Sequence, residues 1–208
     1  MDVFVCRSDP VHVYKLPGAR VGKEGARLLL ERAKLLAGVS GYDEYFARYD
    51  IYEEESAQLV YSWWNRRDYN GWLLKQVRVQ PLPKSPVLHT LDWKRDLRDL
   101  HYHLWKFGIA LVSPNELFGF LNKGRAMDGD TVLSFDLGSI RSDKEQIMGS
   151  LTGHRYDTKI RKVCEGLLGT NDVDTVAEYE RFLRRYINRE ALEAHWCSRV
   201  GMAAERMG

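Results

Sequence analysis

The chain is poor in cysteine, in proline outside one stretch, in long apolar runs and in net charge. Its three cysteines, Cys6, Cys164 and Cys197, are odd in number and far apart, and no Cys-x-x-Cys occurs. That excludes a disulfide framework and favours an intracellular reducing compartment, cytoplasm or organelle matrix, over secretion. Residues 108–112 form one of the longest uncharged apolar runs. It falls far short of the ~20 residues that a membrane-spanning helix needs, so no transmembrane segment is expected. The first seven residues lack a basic stretch leading into an apolar one, and Asp2 speaks against an Arg-rich presequence. With 31 Lys+Arg against 29 Asp+Glu the formal charge is +2, which excludes a polybasic nucleic-acid coat. The 44% of hydrophobic residues is enough for a core and excludes wholesale disorder.

Catalytic and ligand-binding patterns are missing as well. There is no Gly-x-Ser-x-Gly, no His-Glu-x-x-His and no Cys/His quartet. Gly18, Gly22 and Gly25, with Arg20 and Lys23 among them, fit neither phosphate-cradling pattern and read as a loop feeding a helix. His101 and His103 fall on a helical stretch, where i and i+2 diverge by about 200°, so they cannot chelate one ion together. Asp99 stands four residues before His103, which predicts an Asp–His hydrogen bond. Cys164 and Cys197 read as small buried or half-buried hydrophobes. Residues 127–135 look like the later part of an EF-hand loop that follows a helix, with Asp128 and Asp130 as ligands. Ala126, Thr131 and Leu137 then stand where the first ligand, the invariant glycine and the bidentate carboxylate belong. A second partial match near residues 169–180 is equally ligand-poor, and neither should bind calcium tightly. Glu53, Glu54 and Glu55 beside Asp50 read as a solvated acidic face. No cofactor, metal ligand or catalytic residue is assigned. For a site assembled from distant residues, His101, His103, Asp99 and Glu116 are the least poor candidates.

What is present predicts a mainly α fold. A multi-helix bundle is expected, with a short β-like N-terminal segment at 2–6 and 11–16 and an irregular Pro-rich linker. Apolar residues recur at helical spacing from Lys23 to Ala37, closed by Gly38. Tyr45, Tyr49 and Tyr52 are spaced four and three apart, so residues 42–79 read as two or three helices. Pro81, Pro83 and Pro86 forbid a helix. They divide the chain into a mixed segment with aromatic helices at 1–80, an extended linker at 81–91 and a helical domain at 92–208. After Thr90, a plausible N-cap, Trp93, Leu97, Leu100, Leu104 and Phe107 form an amphipathic stripe. Ser113-Pro114-Asn115-Glu116 predicts a helix start running to about Lys123, and Ser142–Glu145 another ending near Gly153. Further helices are expected at 158–168, at 175–187 behind Asp174 and at 189–206 behind Asn188, with a short strand competing at 131–137.

Aromatic residues make up 12% of the chain and are concentrated. Fourteen of them lie between Tyr42 and Phe107, and from Arg66 to Lys106 nine Lys/Arg face four Asp. Trp, Tyr and Arg dominate protein–protein hot spots, because they bury large areas at small entropic cost. The interface candidates are Trp63, Trp64, Arg66, Arg67, Tyr69, Trp72, Trp93 and Trp105. The expected role is a non-catalytic structural or accessory subunit of a larger multiprotein assembly, for instance a mitochondrial or ribonucleoprotein complex, with other protein subunits as partners. The alternatives are RNA or single-stranded nucleic-acid binding through the same belt, a metal-dependent enzyme without a recognisable motif, or a plain aromatic core.

Overall fold

The computed structural model describes residues 1–18, 21–53, 71–82, 91–119, 121–126, 132–167 and 173–197. Helix takes 51% and strand 25% of what is described, in several antiparallel sheets. The expected helical bundle is therefore corrected to a mixed α/β fold. Strands β1 (Asp2–Cys6), β2 (Asp9–Leu16), β3 (Tyr49–Glu53) and β4 (Trp72–Val77) form an antiparallel sheet in the order β1-β2-β4-β3. Helix α1 (Gly22–Ala37) crosses between β2 and β3 and ends with Gly38 bonding back to its last turn.

Of the helices expected within residues 42–79, the described parts form instead a 3-10 turn at Tyr42–Glu44 and the strands β3 and β4, while 54–70 lie outside the described residues. Their tyrosine spacing misleads because aromatic side chains pack as well on a pleated surface as on a helix. In β3, Tyr49 and Ile51 face one side, and Tyr49 donates its hydroxyl to the Ala33 carbonyl of α1 at 2.5 Å. Trp72 donates to the Ala26 carbonyl at 3.0 Å, fixing the opposite end of the helix to the sheet. The other face buries Leu16 and Leu73.

A second sheet joins β5 (Val79–Pro81), β7 (Lys123–Ala126) and β8 (Val132–Ser134), and β6 (Ala110–Leu111) pairs with β9 (Ile140–Arg141). A bridge between Phe46 and Ser134 ties this region to the first sheet. The proline-rich segment thus begins as an edge strand, a position that tolerates Pro81. Leu82 continues it by donating to the Lys123 carbonyl at 3.0 Å, while 83–90 lie outside the described residues.

Helix α2 (Leu91–Lys106) follows the predicted stripe. Leu97 and Trp105 enter a C-terminal core, and Leu100 and Leu104 enter an N-terminal core against Ala33, Leu36 and Tyr49. The helix expected at 114–123 lasts only four residues, α3 (Pro114–Leu117). Asn122 then takes a left-handed turn at φ 58°, which asparagine tolerates, and Lys123 enters β7. Residues 127–131 lie outside the described residues, but the segments before and after them are strands. The EF-hand expectation is therefore corrected, since no helix leads into that loop.

The C-terminal core is closed by α4 (Lys144–Ser150), α5 (Gly153–Leu167), α6 (Val173–Tyr186) and α7 (Arg189–His195). Asp143, not Ser142, caps α4 by accepting from the Gln146 amide at 2.9 Å. Gly153, expected to end that helix, opens the next at φ 61°. Asn188 caps α7 as expected, accepting from the Ala191 amide at 2.8 Å. That helix stops at His195, and residues beyond 197 lie outside the described residues.

Candidate functional site

The period of two in β2 puts Val13 and Lys15 on one face. Register pairs Val13 with Gln76 and Lys15 with Leu74, a member of the N-terminal core. A lysine and a glutamine therefore enter the inner face of the sheet, with residue exposures of 6% and 1%. Beyond them opens a cavity of about 440 Å³, within the range of small-ligand sites. Its walls combine Lys15, Gln76, Arg78, Asn122, Phe135 and Asp136 with apolar surface from Val13, Val79 and Pro81.

The polar groups are linked. Lys15 Nζ donates to the Phe135 carbonyl and stands 5.0 Å from the centroid of that ring. Asn122 Nδ2 donates to Asp136 Oδ2 at 2.9 Å and to Glu116 Oε1 at 2.8 Å. Ser139 Oγ donates to the other Glu116 oxygen. Asp136 Oδ1 accepts from the Gly138 amide at 3.1 Å. Arg32 and Arg141 both donate to the Gly138 carbonyl, at 2.8 and 3.0 Å, which pins the loop carrying Asp136. Behind the wall, Lys123 Nζ donates to the carbonyls of Glu116 and Gly119.

Burial governs the charges here. It lowers Lys15 from the ordinary 10.5 to about 8, against the opposing pull of the Asp136 and Glu116 charges. Lys123, almost wholly enclosed, falls to about 7 for the same reason. Burial raises the Glu116 carboxyl, while its hydrogen bonds from Ser139 and Asn122 and the Lys123 charge act the other way. His101 is pushed down to about 3 by burial and by the Lys123 charge, so its imidazole is neutral at neutral pH. Its Nε2 lies 2.9 Å from the Leu117 carbonyl, and its Nδ1 has no partner among the described residues. Lys15 at the cavity wall, with Lys123 lowered and Glu116 raised in the layer behind it, forms the kind of cluster associated with functional sites.

Comparison with protein-family models and with curated proteins finds no match to this chain.

Of the four residues that the sequence offered for a dispersed site, Glu116 and His101 belong to the polar cluster behind the cavity. Asp99 and His103 do not. The expected bond between them is not formed: Asp99 accepts from Arg98 at 2.7 Å, and His103 Nε2 lies 3.1 Å from the Ser40 carbonyl. Of the interface candidates, Trp72 and Trp105 are buried at 2% and 0% exposure. Trp63, Trp64, Arg66, Arg67, Tyr69 and the side chain of Trp93 lie outside the described residues. Cys164 is buried as expected, whereas Cys197 is exposed. Among the described residues no three His, Cys, Asp or Glu side chains gather as a metal site. No described helix is long and apolar enough to cross a membrane.

Sequence reasoning missed Lys15, Asn122, Lys123, Asp136 and Ser139. One signal was available: the period of two in β2 places Lys15 on the face of Val13, opposite His12 and Tyr14. The others come together only through pairing of strands far apart in the chain.

Proposed function

We propose that this chain binds a small organic anion with an apolar body in the Lys15 cavity. The observation that carries the reading is a buried ammonium group at the wall of a ligand-sized cavity, satisfied by a carbonyl and paired with no carboxylate among the described residues. A buried cation without a close ion pair is costly, and a bound carboxylate offsets that cost. Arg78, exposed at the rim, supplies a second positive charge, and Phe135, Val13 and Val79 supply the apolar walls. Calorimetric titration with monocarboxylates from propionate to phenylpropionate, and with their amides, tests the proposal. The acids should bind and the amides should not, and K15M should lose at least tenfold in affinity, roughly the value of one charge-assisted hydrogen bond. Equal binding of acid and amide, or an unchanged K15M, overturns it.

The accessory-subunit role is our second proposal, and a different surface now supports it. Val3, Val5 and Val11 on the β1–β2 hairpin are 55%, 53% and 60% exposed, an apolar patch beside the cavity rim. In contrast, Trp72 and Trp105 lend nothing to either a protein or a nucleic-acid surface, because both are core. The isolated chain should self-associate or bind a hydrophobic dye, and the V5K/V11K variant should do neither. A monodisperse wild-type chain that ignores the dye counts against this role.

A further inference from the structure

We propose that Lys15 is a nucleophilic amine that captures a small 2-oxo acid as an imine, with Arg78 holding the carboxylate and Asp136 shuttling the proton. The inference rests on the anion-binding reading, names the class of ligand and moves its carboxylate from Lys15 to Arg78. β2 is an interior strand, paired on both sides, so the lysine stem is fixed where it leaves the sheet. Its Nζ is further held by the Phe135 carbonyl beneath an aromatic ring. In the neutral amine, one N–H keeps that bond and the lone pair is left for attack. Apolar walls favour the neutral form, and with the value at about 8 roughly a tenth of the molecules carry the free amine at pH 7. An ordinary lysine would carry it in fewer than about one in a thousand.

The lone pair of Nζ attacks the keto carbon, forming a C–N bond as the carbonyl π electrons move to oxygen, and Asp136 passes the first of the two nitrogen protons to that oxygen, giving the carbinolamine. Asp136 then takes the second nitrogen proton and delivers it to the hydroxyl, which departs as water as the nitrogen lone pair closes the C=N bond. No oxidant or reductant is consumed. Gln76 lines the same wall, and its buried Oε1 has no partner among the described residues. Lys123 is shut in behind the wall with its Nζ on two carbonyls, which leaves Lys15 as the amine at the cavity.

The test is borohydride trapping of the full chain. Wild type is incubated with pyruvate and cyanoborohydride and read by intact mass and peptide mapping, with lactate binding measured in parallel by calorimetry. One addition per chain at Lys15, suppressed by excess lactate and absent in a K15R variant that retains the wild-type circular dichroism, is the expected result. D136N should slow trapping at saturating pyruvate at least tenfold while lactate still binds. Lactate suppression in the wild-type chain keeps the test decisive should a variant misfold. Labelling spread over surface lysines, or unchanged in K15R, overturns the imine. If lactate binds and Lys15 stays unlabelled, anion binding stands and the imine falls. If neither occurs, both fall. If Lys15 is labelled without lactate binding, the imine stands and carboxylate recognition falls.

Discussion

Replacing Lys15 by methionine should change the pH dependence of stability more than stability itself. The lysine lies at 6% exposure with its ionisation lowered from 10.5 to about 8. At ~1.4 kcal/mol per pH unit, holding the ammonium folded costs on the order of 3 kcal/mol below pH 8. The folded value is the depressed one, so the unfolded chain binds more protons between about 8 and 10.5 and wild-type stability rises with pH across that window. Below it the full cost applies, and above it both states are neutral. Methionine keeps the length of the stem without the charge, but it leaves the Phe135 carbonyl without its donor at a cost of ~1–3 kcal/mol. At neutral pH the two effects nearly cancel, and the variant should lie within about 2 kcal/mol of wild type. Urea unfolding, followed through the emission of buried Trp72 and Trp105 from about pH 6 to about pH 10, measures the difference between the two proteins. Lys123 titrates in both and drops out. Wild type should gain on K15M through the upper half of that range and run parallel to it below about pH 7. A difference that stays flat, or falls, with rising pH refutes the argument that burial dominates this lysine.

Asn188→Ala should cost about 1 kcal/mol and fray α7, seen as a lower Tm and faster amide exchange at Ala191, because the cap to that amide is lost. Gly124→Ala should cost about 1–3 kcal/mol. A Cβ there would stand 2.7 Å from the Gln80 carbonyl, so β5 must shift and carboxylate binding at the adjoining cavity should weaken in the same titration. Glu116→Gln tests a burial effect of opposite sign. The folded carboxyl titrates above its ordinary 4.5, so wild-type stability from this group is present below that value and is lost as pH rises through the folded value. Wild type should therefore gain on E116Q as pH falls from neutral, and denaturation curves showing the reverse would be inconsistent with a buried acid.

Local signals carried the helices. Gly38, Asn188 and the Leu97–Leu104 stripe each mark an element by short-range chemistry, and α1, α7 and α2 appear where those signals lie. Tyr45, Tyr49 and Tyr52 misled because their spacing fits a helix face, while their real partners, Ala33 and the β4 strand, are set by tertiary pairing. Ser113-Pro114 does start a helix, but the turn at Asn122 and the demand of β7 for a partner to β5 end it early. The same distinction applies to the site. Glu116 and His101 were visible as isolated titratable residues, yet no sequence interval reveals that residues 15, 76, 122 and 136 meet in one cavity. Tryptophan count indicates how much area must be buried, not whether a core or a partner buries it, as Trp72 and Trp105 illustrate.

Helix α2 presents Leu97 and Trp105 to one core and Leu100 and Leu104 to the other. A cut in the proline-rich stretch before it would strip Ala33, Leu36 and Tyr49 of their cover and leave the longer piece with a naked row of leucines. β7 would also lose its β5 partner. Neither fragment would have a complete interior, but each would carry the missing wall of the other. The chain is thereby suited to reconstitution: two pieces separated at residues 83–90, mute apart, should recover the cavity on mixing. Their association would be driven by the same leucine row that in the intact chain is shared between the two cores.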